Sequence, residues 1–229
     1  MKSIKRIVGK TVFGKKLKKF LRKKSHNEKF RGSKNYWEER YKAAENSGAG
    51  SYGRLADFKA EILNDFVMEN NIRTVLEFGV GDGNQLSLAK YPHYIGYDVS
   101  ETAIQLCKRR YKHDNTKEFH LINTNKNPGL KAELVLSLDV LYHLIEDHVF
   151  EAYVQELFAS ATKYVIIYSS NYDKQTAAHV KSRKFTRWID SNISDAWKLV
   201  KVIKNKYPFD ESNPDHTSIS DFYIFSLEQ

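Results

Sequence analysis

Apolar positions along the chain recur with two different periods. Short runs of apolar, β-branched or aromatic residues stand at Thr74–Phe78, Tyr94–Tyr97, Phe119–Ile122, Leu134–Leu138 and Tyr164–Tyr168, each with the length and composition of a buried strand. Between most of them the spacing widens to that of a helix, over Gln85–Ala89, Glu101–Tyr111 and Asp147–Ser160. Upstream, Asn35–Asn46 and Leu55–Asn70 read as two more helices, the second with Leu55, Phe58, Ile62, Phe66 and Val67 at roughly helical spacing. A Gly/Ser-rich loop over 47–53 separates these two. Alternating strand and helix predicts a parallel sheet with right-handed crossovers. The end of the chain breaks the alternation. Trp197–Ile203 and Ser218–Leu227 are strand-like with no clear helix between them, which predicts an antiparallel hairpin closing the sheet. No repeat or linker divides residues 35–229, so they read as one α/β domain.

Charge changes the picture at the other end. The chain of 229 residues carries a net +9, yet residues 1–34 hold 14 Lys/Arg against one acid, Glu28, so the remainder carries −4. Residues 1–34 are thus a basic extension on a mildly acidic body, which argues against nucleic acid tracking along the whole surface. Within the extension Ile4, Ile7 and Val8 form one helical stripe and Phe13, Leu17, Phe20 and Leu21 another, out of phase near Gly14. Such a segment, centred on residues 1–24, suits an anionic membrane surface; a docked helix, a solvated tail and an RNA-binding arm are the competing readings. A composition 41% hydrophobic and 28% charged excludes a disordered chain. The single cysteine, Cys107, excludes an internal disulfide framework and a multi-cysteine metal site, and suits a reducing compartment. No apolar run approaches the roughly 18 residues of a membrane span. Lysines interrupt the N-terminus before a signal-peptide core of about 7 apolar residues forms. The expectation is a cytoplasmic protein, peripheral on a membrane if the extension binds one, with no metal.

The most informative stretch follows the first strand: Glu77-Phe78-Gly79-Val80-Gly81-Asp82-Gly83-Asn84. Three alternate glycines at a strand end let a ligand approach the backbone closely. The next strand ends at Asp98, where a carboxylate can accept hydrogen bonds from both hydroxyls of a ribose. The dinucleotide fingerprint needs a glycine where Asn84 stands, and no phosphate-cradling G-x-x-x-x-G-K-[ST] loop occurs. Glu77 would repel a pyrophosphate but suits a cofactor bearing an ammonium and a sulfonium, which is S-adenosylmethionine (SAM).

On V-L-E-F-G-V-G-D-G joined to Y-I-G-Y-D-V-S, with a second element at Leu136–Leu144, the chain resembles the class I SAM-dependent methyltransferases. The resemblance implies a Rossmann-like, mostly parallel seven-stranded sheet whose last strand is antiparallel. Y-W-E-E-R-Y, the 48–53 loop and H-V-K-S-R-K-F-T-R-W-I look similar, more narrowly, to methyltransferases of surface-polysaccharide (capsule or O-antigen) gene clusters. A sugar, nucleotide-sugar or phosphate-bearing glycan precursor is the acceptor this implies; an RNA methyltransferase and a non-catalytic membrane-associated scaffold are the alternatives.

The residue roles follow. Glu77, Gly79, Gly81 and Gly83 are expected to line the cofactor's methionine end, Asp98 to take the ribose, Asn123 to meet the adenine edge, and Tyr36 and Trp37 to cap the sulfonium with their ring faces; Leu138 is a further cofactor-binding candidate. Asp139 and His143 are the catalytic candidates, facing one another at i and i+4 if their segment is helical, with the imidazole as base toward an acceptor hydroxyl. Tyr142, His179 and Arg183 are the acceptor-binding candidates, the last two within a basic cluster with Lys181 and Lys184 that could grip a phosphate or carboxylate.

Overall fold

A computed structural model describes residues 30–122 and 129–228. Nearly all of the basic extension and Asn123 lie outside the described residues. The body opens with helix α1 (Ser33–Lys42) and helix α2 (Gly53–Glu69), joined through a 3-10 turn at Ala49–Ser51. Strands β1 (Thr74–Phe78) and β2 (His93–Asp98), helix α3 (Glu101–Arg110), strands β3 (Lys117–Leu121) and β4 (Ala132–Leu138), helix α4 (Asp147–Ser160) and strand β5 (Ala161–Ser169) follow. A small hairpin, β6 (Lys174–Ala177) and β7 (Val180–Ser182), leads to helix α5 (Phe185–Asn192) and to strands β8 (Trp197–Ile203) and β9 (Asp221–Leu227).

Seven strands form one sheet in the order β3-β2-β1-β4-β5-β9-β8. The first five are parallel, and β9 runs antiparallel between β5 and β8. The expected architecture and its closing hairpin are therefore present. Both faces are covered, which is why β4 and β5 read as near-continuous apolar runs. On one face Phe58, Leu63 and Val67 of α2 and Ile104 of α3 pack with Val75, Leu134, Leu136, Ile166 and Phe222. On the other, Phe150, Val154, Leu157 and Phe158 of α4 and Phe185 and Ile189 of α5 pack with Leu76, Val135, Val165, Ile167 and Phe225. Burying each such side chain is worth about 1.5–3 kcal/mol. Strand order reverses between β1 and β4, and the loops after their C-terminal ends converge there, at the crevice where open α/β sheets bind ligands.

Three elements depart from expectation. The helix expected at Gln85–Ala89 is a single 3-10 turn, Gln85–Leu88. The side chain of Asn64 on α2 takes the Leu88 carbonyl and the Lys90 N–H, and Ala89 is already extended (φ −83°, ψ 144°), so the helix does not propagate. The β6–β7 hairpin and α5 fill a region where no elements were expected. In the hairpin β6 is largely exposed and polar, without the alternation that marks a half-buried strand.

Candidate functional site

The turn after β1 is shaped by close packing. Gly79 has φ +94° and Gly81 φ +62°. A Cβ on Gly79 would overlap Val140 Cγ2; one on Gly81 would overlap Ser47 Oγ and come within 2.9 Å of the Tyr41 hydroxyl. Side chains are excluded at both positions by conformation and by space. Gly79 and Val80 donate to the Tyr97 carbonyl at 2.7 and 3.1 Å, and the Gly83 carbonyl accepts from the Tyr111 hydroxyl at 2.6 Å, which pins the turn to β2 and α3. Asp98, buried at the end of β2, accepts from the N–H of Gly81 (2.9 Å) and of Ser100 (2.9 Å). Burial pushes its carboxyl up to about 6. Glu77 is buried as well; it accepts from the Tyr94 hydroxyl at 2.7 Å, and desolvation pushes it up to about 7. Two buried carboxylates thus flank a glycine turn, with the Lys59 ammonium near enough to act on Glu77.

Helix α1 and the segment after it lie across this turn. At its start, Ser33 donates its N–H to Glu146 Oε1 (3.1 Å), and its hydroxyl reaches Glu146 Oε2 and the His143 carbonyl at 2.7 Å each. In its middle, Glu38 accepts from the Ser100 hydroxyl (2.6 Å) and the Thr102 hydroxyl (2.9 Å) at the N-terminus of α3. Those bonds outweigh burial and hold Glu38 down at about 2. Beyond its end, Ser47 exchanges hydrogen bonds with Asp82, N–H to Oδ2 at 2.9 Å and Asp82 N–H to Oγ at 3.0 Å, and Tyr52 adds a bond to Oδ2 at 2.8 Å. The strap is therefore fastened to the segment after β4, to α3 and to the glycine turn.

The third wall follows β4. Asp139 is in the left-handed region at φ +59°, uncommon for a residue with a Cβ and a mark of a locally strained site. Its Oδ1 accepts from the Tyr142 hydroxyl (2.9 Å) and the Ser220 hydroxyl (3.0 Å), and its Oδ2 pairs with the buried ammonium of Lys59 at 2.7 Å. Leu138, just before it, is buried in the sheet core. The residues after it form a 3-10 turn, Leu141–His143, so Asp139 and His143 do not share a helical face. The Asp139 carboxylate meets Tyr142 instead, and it accepts from three donors in all.

His143 packs edge-on against Trp37 (centroids 4.9 Å) and tilted against Tyr142 (4.6 Å), while Tyr36 stacks on His179 at 4.6 Å. Five expected site residues, Tyr36, Trp37, Tyr142, His143 and His179, are thereby brought into one aromatic cluster. The His143 Nδ1 lies 3.0 Å from the His179 carbonyl, which can only accept; Nδ1 therefore carries the proton and Nε2 keeps the lone pair. Burial pushes this imidazole down to about 4, so it is neutral at physiological pH. Tyr41 joins the two halves of the site, stacking on Trp37 at 5.7 Å while its hydroxyl sits 3.0 Å from Ser47 Oγ beside Gly81.

Arg183 stands apart. Its guanidinium donates to the carbonyls of Leu144 (2.6 Å) and Ile145 (2.9 Å) and to Asp147 (2.7 Å), and lies over the Phe150 ring. Lys181 pairs with the same Asp147 at 2.7 Å. These two cations fasten the start of α4, so the expected phosphate grip is not assembled. Two residues of the site escaped the sequence reading, Tyr41 and Lys59. Lys59 had a signal: it sits on the stripe of Leu55, Ala56, Ala60, Leu63 and Val67, where a lysine is out of place unless its charge is used.

No protein-family model and no curated protein sequence matches the chain. Solved structures do. Magnesium protoporphyrin IX methyltransferase (ChlM) from Synechocystis PCC 6803, with bound SAM, aligns at 16% identity over 88% of this chain and 100% of its own, with a TM-score of 0.63. The N-methyltransferase NodS from Bradyrhizobium japonicum WM9, in complex with S-adenosyl-L-homocysteine, aligns at 14% identity over 76% of this chain and 88% of its own, with a TM-score of 0.62. The methyltransferase domain of bacterial CtHen1 aligns at 16% identity over 75% of this chain and 97% of its own, with a TM-score of 0.58. At these identities the likeness is one of architecture, and it agrees with the strand order above: the chain has the Rossmann-like fold of the class I SAM-dependent methyltransferases.

Proposed function

We propose that the chain is a SAM-dependent methyltransferase that methylates a hydroxyl of a sugar, nucleotide-sugar or other surface-glycan precursor. One observation carries the reading. At the topological switch point a glycine turn closed to any side chain lies between two buried carboxylates, Glu77 and Asp98, whose raised values mark a place for a cationic nucleoside. When bound, SAM supplies a methyl group already activated by its sulfonium, so the protein's task is alignment and exclusion of water. Asp98 accepts the ribose hydroxyls, and Glu77 offers its negative charge to the cationic end. Tyr36 and Trp37 close the aromatic side, and His143 takes the acceptor's proton on Nε2 as the hydroxyl attacks. With Lys181 and Arg183 committed to Asp147, an uncharged hydroxyl lying against the aromatic cluster is better supported than a gripped phosphate.

Residues 1–24 are proposed to rest on an anionic membrane surface, with the catalytic body on the cytoplasmic side. Among the described residues no helix is long and apolar enough to cross a membrane. The −4 charge outside the extension favours this over an RNA substrate. Isothermal titration with SAM, followed by a labelled-methyl transfer screen over nucleotide sugars and glycan fragments, tests the reading. A folded chain that evolves no heat with SAM refutes it. Deleting residues 1–24 should lower binding to anionic liposomes and leave SAM affinity intact; equal liposome binding would remove the membrane assignment.

A further inference from the structure

Among the described residues Lys59 is the only buried lysine or arginine, with its side chain 1% exposed. Its Nζ lies 2.7 Å from Asp139 Oδ2 and 5.2 Å from the centre of the Tyr168 ring. It is also close enough to Glu77 to draw that carboxyl's value down. Three charges therefore gather where α2 crosses the ends of β1 and β4: two carboxylates and one ammonium. Buried ion pairs are weak stabilisers, and well-packed apolar replacements are often neutral or better, so stability does not account for this pair. Its partner Asp139 sits besides in a strained backbone conformation, at the mouth of the sheet. The covering segment is fitted closely to the pair: a Cβ on Gly50 would come within 2.8 Å of Asp139 Oδ2.

The charge inventory is the reverse of the cofactor's. The amino-acid end of SAM carries an ammonium, a sulfonium and a carboxylate, a net +1; Glu77, Asp139 and Lys59 together carry a net −1 once Glu77 is ionised. We propose that Lys59 and Asp139 form the receptor for this end, Lys59 for the carboxylate and Asp139 for the ammonium, and that the ion pair between them is the resting form into which that zwitterion inserts. The proposal rests on the methyltransferase reading and assigns Lys59 a binding and specificity role within it. In the resting form Asp139 satisfies the buried ammonium of Lys59, so that charge is not left alone while the site waits. Insertion exchanges one pair for two, and the Gly50 segment must lift for it to happen.

Carboxylate recognition separates this arrangement from simple attraction of a cation. Decarboxylated SAM, which lacks the carboxylate, carries a net +2 at the same end. A site that merely collects positive charge binds it as well as SAM or better. A site built around Lys59 rejects it by about 10- to 100-fold, the value of a charge-assisted hydrogen bond in a desolvated place.

The test is calorimetric titration of the full chain with SAM and with decarboxylated SAM, and no acceptor is needed. Wild type should prefer SAM by at least tenfold. Lys59→Met should abolish the preference. Because it takes the cation from Asp139 and can unfold the chain, Lys59→Met/Asp139→Asn is measured beside it. That double variant removes both charges of the pair; its fold is checked by a cooperative melt, and it should bind both ligands weakly and alike. Wild type that binds SAM without preferring it, or a double variant that keeps the preference, overturns the role of Lys59 and leaves the methyltransferase reading standing. A folded wild type that binds neither ligand overturns both.

Discussion

Glu77→Gln tests the proposal that a carboxylate is kept buried for a ligand. Glu77 is 4% exposed, and desolvation lifts it from the ordinary 4.5 to about 7. In the unfolded chain it returns to the ordinary value. Between pH 4.5 and 7 the native chain therefore holds the proton that the unfolded chain has released, and stability falls as pH rises across that window. The gap corresponds to roughly 3 kcal/mol lost by pH 8. Glutamine retains an acceptor for the Tyr94 hydroxyl but cannot ionise. The variant should melt with the wild type near pH 4.5 and roughly 6–12 °C above it at pH 8. SAM reverses the ranking. Its cationic end needs the ionised carboxylate, which at pH 6 is present in only about one wild-type chain in ten. Wild-type affinity should therefore rise about tenfold between pH 6 and pH 8, with about a further twofold from Asp98, pushed up to about 6. The variant should bind SAM more weakly at pH 8 and keep only the Asp98 part of that slope. Scanning calorimetry at pH 4.5 and pH 8, with SAM titrations at pH 6 and pH 8, supplies the four quantities. A Glu77→Gln chain that melts no higher than wild type at pH 8, or a wild-type affinity flat across pH 6–8, refutes the reasoning.

Three further outcomes are expected. Gly79→Ala drives a methyl group into Val140 at φ +94°, so it should lower stability by about 1–3 kcal/mol and SAM affinity by more than tenfold; a normal melt with normal binding contradicts the packing described. Ser33→Ala removes the hydroxyl that ties α1 to Glu146 and His143, and a loss of about 1 kcal/mol should speed amide exchange across residues 33–42 about fivefold, whereas unchanged exchange there means the strap is held elsewhere. His143→Gln should leave SAM affinity within about twofold and slow methyl transfer by about 10²–10⁴; undiminished turnover removes His143 as the proton acceptor.

The sheet was legible because every one of its strands except the edges is buried on both faces, so each prints itself as a compact apolar run. Leu134–Leu138 and Tyr164–Tyr168 are the clearest cases. The glycine turn was legible for a different reason, since close approach of backbone leaves few residue types admissible. What stayed hidden depends on contacts between distant segments. Nothing near Gln85 announces that Asn64 will take the Leu88 carbonyl and stop the helix. Nothing near Asp139 announces that its backbone turns left-handed, which replaced the expected pairing with His143 by one with Tyr142. Arg183 looked available because a cluster of cations reads as a grip until its acid, Asp147, is seen to lie 36 residues away.

Cys107 has a use beyond packing. Its thiol donates to the Gly81 carbonyl at 3.3 Å and sits 3.0 Å from where a Cβ on Gly83 would be, with burial pushing it well above the ordinary thiol value. Alkylating reagents therefore reach this sulfur only when its packing opens, and separation of the glycine turn from α3 is one such opening. As the chain has no other cysteine, the rate at which such a reagent is consumed under native conditions reports how often that packing opens, in the unaltered protein and without an attached dye.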